Sequence, residues 1–174
     1  FATPVHAFPQ RFRVIGSVED MLALWEETWF KPFSREVVPA VAAVARALHL
    51  NPGDRVVRFT GVRHTDETPF QYVTAYLPDA VGRAILDEDL TKTSVIATVE
   101  EKLGLAVRYL EQQDVAPAPR VVSEFLGVPR RAPLLLFRRT YFTNGGKPVE
   151  HALTYHAAQR YPYKMMLLRA ERRG

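Results

Sequence analysis

The sequence predicts an α+β domain: an antiparallel β-sheet with helices packed on it, assembled from two copies of one unit. Three observations carry this. Segments with strand period and segments with helix period interleave along the chain. Two tight turns, Asp66–Pro69 and Asn144-Gly145-Gly146, join strand-like segments at a separation that only hairpins tolerate. Hairpins pair strands antiparallel, which separates this pattern from a strict βαβ alternation. Finally, the chain resembles itself. At an offset of 78, Leu48 falls on Leu126, Val56 on Leu134, Phe59 on Phe137 and Thr65 on Thr143. After one inserted residue, an offset of 79 places Pro69 on Pro148, Gln71 on Glu150 and Tyr76 on Tyr155. Ser17-Val18 falls on Ser94-Val95 at an offset of 77, giving halves of 17–78 and 94–157.

Each half reads helix, strand, short helix, strand, turn, strand. Ser17 caps a first helix in which Met21, Trp25 and Trp29 recur at helical spacing. Arg35–Val38 is a short strand. The Ala-rich segment Ala40–Leu48 is a good helix former, stopped by Asn51-Pro52-Gly53-Asp54. Arg55–His64 and Phe70–Leu77 are the two strands of the first hairpin. In the second half Ser94 caps a helix with Val95, Val99 and Leu103 on one face, and Gly104 ends it. Val107–Gln112 is a strand, Arg120–Phe125 a short helix, and Leu134–Phe142 and Val149–His156 the second hairpin. Lys164–Arg169 is a candidate final strand.

Composition bounds the function. The 174 residues are 47% hydrophobic and 24% charged, enough for one compact domain with its own core. Apolar runs stop far short of the roughly 20 residues that cross a bilayer. Phe1–Gln10 lacks a basic stretch followed by an apolar one, so no secretory signal is expected there. The absence of cysteine excludes disulfides, thiolate metal sites and cysteine nucleophiles, and fits a reducing cytoplasm. The net charge is +4, and ten of the basic residues lie after Pro129, with Arg169, Arg172 and Arg173 crowding the end. No aromatic residues interleave with those arginines, so a solubilising tail explains them better than a nucleic-acid-binding face. The five histidines show no metal spacing. No nucleophile elbow, phosphate loop or dinucleotide fingerprint appears, so neither a cofactor nor a metal is expected.

The wording of the second half is that of a known family. Ser123-Glu124-Phe125-Leu126-Gly127-Val128-Pro129, Ala132-Pro133-Leu134-Leu135, Arg139, Asn144-Gly145-Gly146-Lys147-Pro148-Val149-Glu150 and Arg160-Tyr161 follow in order. This resembles the UTRA domain, the effector-sensing half of HutC-type regulators in the GntR superfamily. Leu48–Arg63, Asp66-Glu67-Thr68-Pro69 and Tyr76-Leu77-Pro78 resemble the family's first hairpin, so the likeness runs from about Arg13 to Leu168. It implies a chorismate-lyase-like fold, residues 1–12 as a linker and 13–170 as the effector-binding domain. Phe1-Ala2-Thr3-Pro4 resembles the end of the wing strand of an N-terminal winged-helix domain. The resemblance further implies a cytoplasmic bacterial regulator, usually a repressor and a homodimer. Its partners are a small effector and, through the winged helix, DNA. No membrane is involved.

Residue by residue, the likeness selects five positions. Glu150, Ala152, Thr154 and His156 alternate to one strand face, Leu153 and Tyr155 to an apolar face that packs on helices. Glu150 resembles an effector-pocket residue. His156 stands where some members have tyrosine, about 20 Å further along a straight strand. Arg63 keeps one of two arginines that the family places two residues apart to fork onto an anion. Gly61 replaces the other, which argues against a phosphate-sugar effector and opens space for a bulkier ligand. Ser94 stands at a helix N-terminus that favours anions, and also serves as a plain cap. Phe33, with Phe30, enters a loop that the family lays over its pocket, as lid or as core. By the repeat, Gln71 matches Glu150 and Gly61 matches Arg139, so Arg63, Ser94, Glu150 and His156 are expected to converge on one cavity near a local twofold. The alternative is a chorismate-lyase-like enzyme in which an arginine binds a carboxylated ring and a glutamate is the general acid.

Overall fold

The computed structural model describes residues 28–160. The expected first helix from Ser17 and the final strand Lys164–Arg169 lie outside the described residues, as do the expected domain limits. The strands are β1 (Trp29–Pro39), β2 (Arg55–Thr65), β3 (Thr68–Pro78), β4 (Val107–Pro117), β5 (Pro133–Thr143) and β6 (Pro148–His156). The helices are α1 (Ala42–Leu48), α2 (Asp79–Ala84), α3 (Val95–Leu103) and α4 (Arg120–Leu126). One antiparallel sheet runs in the order β1-β2-β3-β6-β5-β4. The α+β class, the two hairpins, the element order of the second half and that of the first half from its first strand onward follow the sequence reading.

The order of strands is itself a twofold: three strands of one half, then three of the other in reverse. Thr74 pairs with Leu153, and the sequence offset of 79 equates those same two residues. The local axis therefore passes between β3 and β6 at that pair. Equivalent residues carry equivalent loads. Leu48 and Leu126 are buried at the ends of α1 and α4, and Phe59 and Phe137 are buried on β2 and β5.

Both faces of the sheet are covered. On one, Ile85, Val95, Ile96 and Val99 from α2, α3 and their flanks close over Val57, Phe59, Ala75 and Ala152. On the other, α1 packs Val44, Ala45 and Leu48 onto Val56, and α4 packs Val122 and Leu126 onto Val62, Tyr72 and Leu134. Tyr155 joins the α4 side, so the apolar face read on β6 does meet a helix. α3 starts and stops as its sequence dictates: Ser94 Oγ accepts from the Ala97 amide at 3.1 Å, and Gly104 ends it in the left-handed region at φ 60°.

Two local expectations change. Trp29 does not continue a helix; it opens β1, where its ring stacks on His64 at 4.2 Å and its indole N–H donates to the Asp66 carbonyl. The segment after it is strand, three times the expected length, because β1 pairs with β2 along nearly all of it. Helix α2 was not anticipated. Its Asp79–Arg83 ion pair, at i and i+4, is the local signal for it.

Candidate functional site

A cavity of about 430 Å³, counting the part open to solvent, lies between the sheet and α3 near the local twofold. Arg63, Ser94 and Glu150 line it together, although they come from β2, the cap of α3 and β6. Phe30, Gln71, Arg139, Tyr141 and Thr154 share the lining. Strand alternation explains the set, because each strand turns every second residue to this face.

Arg63 is only 2% exposed. Its guanidinium donates to Thr28 Oγ1 at 3.1 Å and to the Thr93 carbonyl at 2.7 Å, and lies 5.3 Å from the centre of the Phe30 ring. The Thr93 contact ties β2 to the residue before the α3 cap. Burial lowers its pKa to about 9, which still leaves it a cation at neutral pH. Ser94 spends its hydroxyl oxygen on the helix cap, so what it brings to the cavity is a fixed start of α3. Glu150 is 3% exposed. Burial pushes its carboxyl up to about 8 against an opposing pull from Arg139, so the acid is largely protonated at neutral pH. Arg139 is itself bound to Glu111 across β4 and β5.

His156 shares the Glu150 face but does not line the cavity; it stands behind Gln71, with the two Nε2 atoms 3.0 Å apart. Phe33 does not join the site at all. It is the residue at the β1 bulge between Pro32 and Ser34, it stacks on Phe125 of α4 at 4.5 Å, and it belongs to the opposite face of the sheet. Phe30 takes the cavity side instead, as a wall on a strand and not as a loop lid.

Gly61 opens no space. A Cβ built there would sit 2.4 Å from the Phe30 ring and 2.6 Å from the Lys31 carbonyl oxygen. The room left by the absent arginine is filled by Phe30. Gly61→Ala is expected to destabilise the domain by about 1–3 kcal/mol through overpacking, measured by urea melts against wild type.

Gln71, Arg139, Tyr141 and Thr154 escaped the sequence reading as site residues. The signal for two of them was the repeat, which equates Gln71 with Glu150 and Arg139 with Gly61. Among the described residues no group of three His, Asp or Glu side chains could hold a metal ion.

The sequence model of the UTRA domain matches residues 28–162. The chain is 33% identical over 109 residues to the HTH-type transcriptional regulator Rv0792c of Mycobacterium tuberculosis, covering 60% of this chain and 40% of that protein. It is 21% identical over 129 residues to the HTH-type transcriptional repressor NagR of Bacillus subtilis, covering 74% and 53%. The chain thus spans about half the length of these relatives, or less. Its fold is similar to that of the ligand-binding domain of a Bordetella bronchiseptica regulator assigned to the GntR family. That similarity has a TM-score of 0.74 at 25% identity and covers 82% of this chain and 94% of that one. The effector domain of PhnF from Mycobacterium smegmatis gives a TM-score of 0.74 at 18% identity, with coverage of 82% and 88%.

Proposed function

The chain belongs to the UTRA domain family, homologous to the effector domains of GntR-family transcriptional regulators, and from that premise we propose that its cavity is where a small effector binds. In this reading Arg63 and the start of α3 hold an anionic group, and Glu150 meets a hydroxyl or amine at the other end. The observation that carries it is the convergence of Arg63, Ser94 and Glu150 from both halves of the chain on one cavity. Burying a cation beside a helix start strengthens its attraction for an anion, because little water is left to screen it. Binding at a site shared by both halves gives an effector a direct way to shift one half against the other.

The wider reading is a HutC-type bacterial repressor acting in the cytoplasm. Its winged-helix domain, outside this chain, reads DNA, and the effector alters that binding. The HTH-type relatives, of which this chain spans 40% and 53%, support it. Among the described residues no helix is long and apolar enough to cross a membrane. We read the domain as a sensor without turnover. A metabolite screen by thermal shift tests both points. A compound present at 100 times its dissociation constant adds about 2.7 kcal/mol to stability, and it should be recovered unchanged. Equal stabilisation of a folded Glu150→Ala variant would remove this cavity from consideration, and chemical conversion of the compound would favour the lyase-like alternative.

A homodimer completes the reading. Among the described residues β4 is an outer strand paired only with β5, and it carries Leu110 and Val115 at 69% and 71% exposure. Exposed apolar side chains on an outer strand invite a partner. Sedimentation at tens of micromolar is expected to show a dimer that Leu110→Lys weakens; a wild-type monomer would count against it.

A further inference from the structure

The cavity keeps buried acceptor atoms that the protein does not use. Gln71 Oε1, Glu150 Oε2 and Thr154 Oγ1 have no hydrogen-bond partner among the described residues. All three side chains line the cavity, and none is more than 5% exposed. Each such atom costs about 1–3 kcal/mol when left unsatisfied, so three at one place mark a surface made for something else to bond. Gln71 and Glu150 are also equivalents under the internal repeat, on the adjacent strands β3 and β6.

Which end of the Gln71 amide faces the cavity is decided on its far side. Gln71 Nε2 lies 3.0 Å from His156 Nε2. An amide nitrogen only donates, so the imidazole Nε2 accepts, and the one proton of a neutral ring belongs on Nδ1. Two features fix the ring and keep it neutral. The ring is 1% exposed and sits edge-on to Phe137 at 4.7 Å, which fixes its orientation. Burial and Arg139 depress its pKa to about 3, so it stays neutral.

The geometry points to His156 as a positioning residue that turns the Gln71 nitrogen away from the cavity and its oxygen inward. Gln71 and Glu150 together then read a hydrogen-bond donor on the ligand, a primary ammonium or hydroxyl group, and reject a group of similar size that has none. This rests on the effector reading of the cavity. It adds Gln71 as the residue that sets specificity and His156 as the residue that sets Gln71.

Nitrogen-15 NMR of the imidazole reads the proton position directly. The expected result is the Nδ1–H tautomer of His156 at neutral pH. A proton on Nε2 overturns the inference, because Gln71 would then turn its amide nitrogen to the cavity. The second arm uses γ-aminobutyrate and its N,N,N-trimethyl counterpart, which share a carboxylate and a positive charge but differ in N–H donors. Wild type is expected to bind the primary amine about tenfold more tightly. His156→Phe keeps the contact with Phe137 but loses the acceptor, and should lose most of that preference while melting cooperatively. An unchanged preference in the folded variant overturns the inference. Should that variant not fold, Gln71→Leu carries the same test, since it removes the acceptor itself. If wild type binds neither probe while His156 shows the Nδ1–H tautomer, the anion-binding role of Arg63 falls and the orientation of Gln71 stands.

Discussion

Arg63→Ala is expected to weaken effector binding by about tenfold to a hundredfold, the loss of one charge-assisted hydrogen bond worth about 1.5–3 kcal/mol. The domain should still melt cooperatively. Arg63 donates to Thr28 Oγ1 and to the Thr93 carbonyl, so its removal strips those groups of a partner at a cost of about 1–3 kcal/mol. A typical domain has about 5–15 kcal/mol to lose. Arg63→Lys separates charge from shape. It keeps the cation but not the planar fork, and its affinity should fall between wild type and Ala. Titration with the compound found by thermal shift, alongside a calorimetric melt, reads both quantities. Unchanged affinity in a folded Arg63→Ala would place the anion elsewhere.

The sheet was legible because hairpin turns and strand alternation are local. Asp66 to Pro69 and Asn144-Gly145-Gly146 report their turns within a few residues, and the repeat of the flanking apolar positions adds a second, independent record. The convergence of Arg63, Ser94 and Glu150 was legible for the same reason: parity along a strand fixes the face, and the repeat fixes which strands meet. Phe33 shows where this stops. It stands three residues after Phe30, an odd step, so on a strand the two belong to opposite faces. Read as a loop, the segment offered no alternation to apply. Trp29 fits a helical spacing with Met21 and Trp25, yet it is held in β1 by His64 and Asp66, distant residues that no local pattern reports. Gly61 was taken as room because a missing side chain says nothing about which neighbour fills the gap; Phe30 does. The link from His156 through Gln71 lies between strands paired over 85 residues of sequence, and only the pairing register brings it to light.

Stability against pH should show a plateau with a fall on each side, and the alkaline fall should belong to Glu150. Its carboxyl is raised from 4.5 to about 8 in the folded state. The folded protein therefore holds a proton that the unfolded chain has released. The contribution is full at low pH and is lost as pH rises through the folded value. His156 runs the other way. It is lowered from 6.5 to about 3, so its contribution is full above 6.5 and is lost as pH falls toward 3. Each slope is about 1.4 kcal/mol per pH unit. Between the two ordinary values, 4.5 and 6.5, the slopes oppose and cancel. From 6.5 to 8 only Glu150 acts, and stability should drop by about 2 kcal/mol. His64 and His151, also lowered by burial, lose their contributions in the same direction as pH falls below 6.5, so they tilt the plateau downward toward acid. Glu150→Gln keeps the size and the acceptor oxygen but cannot ionise. Its urea melts should match wild type near pH 4.5, gain stability toward pH 6.5 because the His156 slope is no longer opposed, and stay level where wild type declines toward pH 8. An alkaline decline of the same size in Glu150→Gln would show that this carboxyl is ionised in the folded domain and that some other group releases the proton.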